Sequence, residues 1–204
     1  MSIMDYNGGT CIGMVGKNCV AIAADKRYGV RFTTVDMQKP KIFKFGPTLF
    51  MGLSGLATDV NTVHERMKFR SNLYELEENR KLKPAVLANM LSNFLYQHRF
   101  GPYFICPIVV GLDQNAEPFI YEFDMIGCLD RKPDFATGGT AQEQCFGLAE
   151  QYWKKDMEPE ELFEAISQTL LNGFDRDAYS GWGADVYLIE KDKIIHRELK
   201  ARLD

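Results

Sequence analysis

The fold is decided by the stretch GTCIGMVGKNCVAIAADKR, residues 9–27. It holds two apolar segments, TCIGMV (10–15) and CVAIAA (19–24), with Gly16-Lys17-Asn18 between them. Apolar runs of this length on either side of a short turn are typical of a β-hairpin. Neither segment alternates regularly between apolar and polar residues, so both faces of the resulting sheet are expected to be covered.

The remaining chain shows groups of strands followed by pairs of helices. A second strand pair comes first, then two helices, two or three strands, two more helices and a closing hairpin. The further predicted strands are 41–45, 48–53, 105–112, 119–124, 185–190 and 193–200, with a short one near Phe135. Four helices are predicted: one over about 56–79, one from Pro84 to Arg99, one over about 140–153 and one that begins at Pro159.

This order predicts the fold class. Strand and helix do not alternate, which disfavours a doubly wound parallel sheet, and hairpins indicate antiparallel sheets. Because each sheet is apolar on both faces, it needs a helix layer on one side and the other sheet on its second side. The sequence therefore predicts an α+β protein, a four-layer α-β-β-α sandwich of two antiparallel sheets. No repeat, low-complexity tract or linker interrupts residues 1–204, so we expect a single domain.

Composition excludes several classes of function. A formal net charge of -4 argues against a general nucleic-acid binder. The sequence contains no run of about 18 apolar residues, so it predicts no membrane span. Its first residues, MSIMDYNGG, lack the features of a secretory signal. The five cysteines show no CxxC spacing and are expected to be free, mostly buried thiols. The three histidines are scattered without a zinc-binding motif, so zinc chemistry is not expected.

Five short motifs occur in order along the chain. They are the Gly9-Thr10 start of the first strand, AADKR (23–27), Lys41, GLSG (52–55) and RDAYSG (176–181). Each motif alone is ordinary, since a turn carboxylate or a solvated lysine is common in any protein. Their order and spacing together resemble the beta subunits of the 20S proteasome, which are N-terminal-nucleophile hydrolases. The resemblance covers the whole chain and implies the sandwich fold predicted above.

The resemblance also implies a set of chemical roles. In active members a threonine, freed by loss of the preceding glycine, attacks the peptide carbonyl, and its own α-amine takes the proton. A lysine lowers the pKa of the nucleophile, an aspartate holds that lysine, and a glycine amide stabilises the oxyanion. The supporting positions correspond to Asp25 with Arg27, Lys41, Gly55, and Asp177 with Ser180.

The position of the nucleophile holds a glycine. In active members the threonine lies sixteen residues before the turn aspartate, thirty-two before the lysine and forty-six before the oxyanion glycine. Counting back from Asp25, Lys41 and Gly55 reaches Gly9 each time. Glycine has no hydroxyl, and Thr10 lies one position late, which turns its side chain to the other face of a strand. The sequence therefore predicts no catalytic residue, and a vestigial cluster of Gly9, Asp25, Arg27, Lys41, Gly55, Asp177 and Ser180.

Further stretches resemble the noncatalytic beta subunits in particular. These are SIMDYNGG (2–9), GLATDV (55–60), KFRSNLYEL (68–76), RFGPYF (99–104), LFEAISQ (162–168) and LKARLD (199–204), while GGTA (138–141) departs from the serine-rich turn of active members. The resemblance implies a structural subunit that fills a position in a seven-membered beta ring, contacts other beta subunits and the alpha ring, encloses the proteolytic chamber and shapes a neighbour's substrate pocket. It further implies ubiquitin-dependent degradation, a cytoplasmic and nuclear location, no nucleic-acid or membrane partner, and a short unprocessed extension over residues 1–9.

Two minor sites and three alternatives complete the expectations. The loop from Asp124 to Cys128 is a candidate wall of the neighbour's pocket, although a plain strand-end turn is the simpler explanation of these residues. No cofactor is required, and the resemblance implies a structural magnesium site at Phe174, Asp177, Ser180 and Asp204, where a loop held by hydrogen bonds and water is the simpler explanation.

Three alternative functions stay open. They are an active threonine peptidase that uses Thr10 after autocleavage, a free-standing amide hydrolase, and a binding module.

Overall fold

The computed structural model describes residues 2–203. In chain order its strands are β1 (Thr10–Val15), β2 (Cys19–Asp25), β3 (Tyr28–Val30), β4 (Thr33–Asp36), β5 (Ile42–Lys44), β6 (Leu49–Gly55), β7 (Ile105–Leu112), β8 (Pro118–Phe123), β9 (Leu129–Lys132), β10 (Phe135–Gly139), β11 (Ala184–Glu190) and β12 (Ile194–Leu199). The α-helices are α1 (Ala57–Glu78), α2 (Pro84–Gln97), α3 (Gln142–Tyr152) and α4 (Pro159–Phe174), and a 3₁₀ turn spans Ile3–Asp5.

The strands form two five-stranded antiparallel sheets. The first has the order β10-β1-β2-β11-β12 and the second the order β5-β6-β7-β8-β9. The predicted hairpin is present, with Cys11 opposite Ala24 and Val15 opposite Val20. In its turn Asn18 adopts a φ of 55°, a left-handed conformation that asparagine tolerates better than most residues.

Three apolar cores separate the four layers. One face of β2, which includes Ala21 and Ala23, packs with Ile166 of α4, so α3 and α4 cover the first sheet. The opposite face, which includes Ile22, packs with Ile108 of the second sheet. Helices α1 and α2 cover the outer side of that second sheet. The predicted α+β, α-β-β-α sandwich is therefore confirmed, and the apolar character of both strand faces is explained.

Three strands were absent from the sequence-based expectation. Strands β3 and β4 form a separate two-stranded ribbon, with an irregular register between Tyr28 and Gly29. Strand β4 (TTVD) is mostly exposed and β9 (LDRK) lies at a sheet edge, so neither carries the apolar run on which strand prediction depends. Within residues 2–203, no helix has both the length and the apolar character needed to cross a bilayer.

Candidate functional site

The candidate site lies at one end of the sandwich, where strands of both sheets begin or end. Because β1 and β2 are antiparallel, the start of β1 lies beside the end of β2. Asp25 is the last residue of β2, Gly55 is the last residue of β6, and Lys41 directly precedes β5. The loop after α4 adds the side chains of Asp177 and Ser180. Residues far apart in sequence are thus brought into one polar cluster.

Lys41 and Asp25 form a buried ion pair at the centre of this cluster. Lys41 Nζ donates to Asp25 Oδ1 at 2.6 Å and to the main-chain carbonyl oxygens of Asp25 and Arg27 at 3.1 and 2.7 Å. The carboxylate also accepts the backbone N–H of Thr10 at 2.8 Å. Its Oδ2 accepts the N–H groups of Arg27 and Gly181 at 3.2 and 3.1 Å. Both charges are fully hydrogen-bonded, which is the condition for a buried pair to be tolerated.

Position 9 faces the lysine. Gly9 has a φ of 119°, and a β-carbon placed there would lie 2.7 Å from Lys41 Cε and 3.0 Å from Lys41 Nζ. This is the place that the family resemblance gives to the nucleophile, so the geometry agrees with the alignment by spacing. Since the residue is a glycine, no hydroxyl is directed at the ammonium from this position.

The Thr10 side chain forms its hydrogen bonds with groups other than Lys41. Its side chain is fully buried, and its Oγ1 donates to Ser180 Oγ at 3.2 Å and accepts the backbone N–H of Ala141 at 3.1 Å. Its own N–H donates to Asp25, as described above. Consecutive side chains of a strand point to opposite faces, and position 9 faces Lys41. The Thr10 hydroxyl is therefore a structural hydrogen-bonding group in this arrangement.

Asp177 organises the other side of the cluster. Its carboxylate accepts the hydroxyls of Ser180 and Thr140, the latter at 2.6 Å, and the backbone N–H of Tyr179 at 3.2 Å. Thr140 also binds the main chain of Gly9, whose carbonyl accepts the Thr140 N–H at 3.0 Å and whose N–H donates to Thr140 Oγ1 at 3.4 Å. Sequence reasoning missed Thr140 as a member of the cluster. The available signal was its place in GGTA (138–141), which falls where active family members carry a serine-rich turn.

Arg27 supports the main chain around the site. Its guanidinium donates to the carbonyl oxygens of Tyr179 and Arg31, each at 2.9 Å, and to Thr34 Oγ1 at 3.1 Å. Burial lowers the pKa of Arg27 from its usual value, while Asp25 and Asp177 oppose that change. Arg27 therefore contacts the cluster through its backbone N–H, which donates to the Asp25 carboxylate. Its guanidinium holds the neighbouring main chain instead.

The residues before Gly9 fill the space beside Lys41. Asn7 is buried, and its side chain donates to the Gly29 carbonyl and accepts the Ala57 N–H, both at 2.9 Å. A β-carbon on Gly8 would lie 2.4 Å from the Tyr179 carbonyl oxygen, so this segment lies directly against the loop after α4. The cavity left beside Lys41 and Gly55 has a volume of about 20 Å³, which is room for about one water molecule.

We expect Asn7→Ala to destabilise the protein. The change leaves the buried Gly29 carbonyl and the part-buried Ala57 N–H without their side-chain partner, which costs about 1–3 kcal/mol. Urea unfolding of the full chain measures the effect as a lower midpoint. Asn61→Ala, at an exposed position of α1, is the matched control and should be neutral or slightly stabilising because alanine has the higher helix propensity. Equal midpoints for the two variants would show that Asn7 does not anchor the segment.

The cysteines near the cluster do not replace the missing hydroxyl. Cys11, next to Thr10, is fully buried, and burial raises the pKa of its thiol well above the usual value. Burial likewise raises the pKa of Cys145 to about 12. The thiolate is the nucleophilic form of cysteine, so neither thiol is activated at neutral pH.

The loop proposed as a neighbour's pocket wall lies at the mouth of a separate cleft. Asp124 Oδ1 accepts the N–H groups of Ile126 and Cys128 at 3.0 and 2.8 Å, which is the geometry of an ordinary Asx-type turn. Asp124 and Cys128 are both exposed, and they line a cleft of about 410 Å³ together with Glu122 and Lys132. The turn explains the conformation, and the role as a pocket wall stays a prediction.

The predicted magnesium site is only partly within the described residues. The carbonyl oxygen of Phe174 accepts the Asp177 N–H at 3.0 Å, and the Asp177 carboxylate is engaged by the donors described above. Arg202 lines the cavity of about 230 Å³ beside Ser180. Asp204 lies outside the described residues. The oxygens described here are committed to protein donors beside a cationic side chain, so they do not by themselves fit a hard cation.

The fold and the cluster define a subunit of the proteasome type. Residues 5–189 match the proteasome subunit family, and the chain belongs to it. Among individual proteins, it is 54% identical to proteasome subunit beta type-3 of Drosophila melanogaster, with all of both chains covered. It is 49% identical to proteasome subunit beta type-3 of Saccharomyces cerevisiae over 97% of each chain, and 48% identical to proteasome subunit beta type-3-A of Arabidopsis thaliana over the full length of both.

Proposed function

We propose that this chain is a noncatalytic, structural beta subunit of the 20S proteasome core, of the beta type-3 kind. In this role it fills one position of a beta ring, contacts other beta subunits and the alpha ring, helps to enclose the proteolytic chamber, and presents the Asp124–Cys128 loop to a neighbour's substrate pocket. The subunit would act in ubiquitin-dependent protein degradation, in cytoplasm and nucleus. We further propose that Asp204 or a partner subunit completes a magnesium site at the loop after α4. The observation that carries the proposal is the glycine at the position that faces Lys41.

The closed cleft supports the same conclusion independently. A peptidase needs space for the substrate beside its nucleophile, and here Asn7 and Gly8 occupy that space and leave about 20 Å³. The chain's own residues are held there by the Asn7 side chain, which donates to the Gly29 carbonyl and accepts the Ala57 N–H. A retained extension over residues 1–9 therefore has a structural role, since its removal would expose Lys41.

The geometry disfavours the alternative in which Thr10 is the nucleophile. A catalytic N-terminal threonine needs a free α-amine to accept the hydroxyl proton. The Thr10 nitrogen instead donates to Asp25 in the middle of a continuous chain, and its hydroxyl is bound by Ser180 and Ala141. Productive placement within about 0.5 Å would require this whole strand to move.

An exposed apolar stripe supports a role in assembly. Phe69, Leu73 and Leu76 lie four and three residues apart on α1, and they are 65%, 42% and 81% exposed. The opposite face of the helix buries Val63 and Met67 in the core. Contiguous exposed apolar side chains on a soluble protein indicate a contact with another protein, and obligate interfaces of this type typically bury about 2,000 Å² or more.

The intact mass of the chain, taken from the native particle, tests the proposal. We expect the mass of residues 1–204, corrected for loss of Met1 or N-terminal acetylation, because Gly9 provides no nucleophile for self-cleavage. A chain that begins at Thr10 would overturn the proposal and establish the peptidase alternative. Elution as a small oligomer, outside any very large particle, would instead favour a free-standing amide hydrolase.

A further inference from the structure

Three potential metal ligands meet on one face of the closing hairpin. In the ladder of β11 and β12, Asp185 lies opposite Glu198, and His196 lies opposite Tyr187. His196 Nε2 lies 2.8 Å from Asp185 Oδ1. One ligand atom from each of Asp185, His196 and Glu198 lies within 4.8 Å of the other two, and residues 2–203 hold no other such group of three.

The histidine is held in a binding orientation. Its ring stacks on the ring of Tyr187 with centroids 4.3 Å apart and planes inclined by 8°. This contact restricts rotation of the imidazole and keeps Nε2 beside the Asp185 carboxylate. Asp185 is partly buried, whereas Glu198 is largely exposed and is held by Lys26. Two ligand atoms thus lie side by side, and the third can join them if Glu198 leaves Lys26.

The local charge favours a cation. Asp185 and Glu198 carry two negative charges, and Lys26 Nζ, 3.1 Å from Glu198 Oε2, supplies one positive charge. With a neutral imidazole the group has a net charge of minus one. The lysine ammonium also shows that the Glu198 carboxylate already binds a cation in this arrangement, and it would compete with a metal ion for that carboxylate.

We propose that Asp185, His196 and Glu198 bind a divalent transition-metal ion of the zinc class, with water as the fourth ligand. Imidazole nitrogen and carboxylate oxygen are ligands that zinc accepts, at about 2.0–2.2 Å in tetrahedral geometry. That geometry places ligand atoms about 3.4 Å apart. Binding would therefore replace the 2.8 Å hydrogen bond between His196 and Asp185 by two bonds to the ion, and Glu198 would change rotamer to reach it. The ion would join the edge strand β12 to β11. This inference is independent of the proposed function, because it concerns another part of the molecule.

Titration of the purified full-length chain with Zn²⁺ by calorimetry tests the proposal, with Co²⁺ absorption as a report of tetrahedral coordination. We expect one ion per chain. His196→Gln and Glu198→Gln should each weaken Zn²⁺ binding by about tenfold or more, since even outer residues of metal sites have effects of that size. Lys26→Met should strengthen binding, because it removes the competing cation and keeps the apolar stem. His98→Gln, on a different element, is the matched histidine control and should leave binding unchanged.

A second readout does not depend on calorimetry. Zn²⁺ should raise the midpoint of thermal unfolding of the original chain but not that of His196→Gln, since a ligand stabilises only the state that binds it. If His196→Gln binds Zn²⁺ as well as the original chain, or if no stoichiometric binding occurs, the proposal is wrong. Unchanged affinity in both Glu198→Gln and Lys26→Met would likewise overturn the three-ligand site.

Discussion

Lys41→Met should strongly destabilise the protein and cause no change in its peptidase activity. Methionine keeps the volume of the lysine stem but removes the ammonium, so the buried Asp25 carboxylate loses the cation with which it forms its salt bridge. Breaking one side of a buried ion pair typically costs about 3–5 kcal/mol. The carbonyl oxygens of Asp25 and Arg27 lose a donor as well. The loss of stability is measured by chemical unfolding of the full chain. Its effect on assembly is measured by the amount of the variant chain that is incorporated into the particle.

The control for this change is Lys44→Met, three positions along the chain. Lys44 is exposed on β5, and surface changes of this kind usually alter the free energy of unfolding by within about 0.5 kcal/mol. Equal stability of the two variants would mean that the Lys41–Asp25 pair does not hold this end of the sandwich together. A loss of intrinsic peptidase activity in Lys41→Met would be a separate contradiction, since it would show that the chain had such activity.

Most of the layer architecture could be predicted from the sequence because burial leaves a local pattern. Val60, Val63 and Met67 recur at helical spacing and are all buried on α1. Strand β2 is buried along its whole length, as its apolar run over 19–24 indicates, and it ends on the buried Asp25. The register that gives Gly9 the nucleophile position came from the family resemblance, and the structure places Gly9 beside Lys41.

The remaining features depend on contacts that leave no local pattern. Asn7 is an ordinary polar residue in sequence, and its buried role depends on Gly29 and Ala57, which are distant in the chain. His196 and Asp185 are brought together by the register of the β11–β12 hairpin, and this register cannot be derived from the local sequence pattern. The β3–β4 ribbon was missed because few of its residues are buried. Such contacts require the three-dimensional arrangement of the strands to be known first.

Gly139→Ala should be the second strongly destabilising change, because this residue fixes the main chain at position 9. Gly139 is opposite Thr10 in the β1–β10 ladder. A β-carbon on Gly139 would lie 2.0 Å from the Gly9 carbonyl oxygen and 2.9 Å from Ser54 Oγ. The first of these is a backbone atom, so a simple change of rotamer does not relieve the overlap. We expect a cost of about 1–3 kcal/mol for the overlap and a similar further cost for an alanine at a φ of 107°.

Gly147→Ala is the matched control, because it adds the same methyl group where there is room for it. Gly147 is exposed on α3, with no heavy atom within 4 Å of the added β-carbon. Alanine in a helix is more favourable than glycine by about 0.5–1 kcal/mol, so this variant should be more stable than the original chain. The two glycine variants therefore move the unfolding midpoint in opposite directions. If Gly139→Ala unfolded at the same denaturant concentration as the original chain, the close approach of Gly139 to Gly9 would not be what holds position 9 against Lys41.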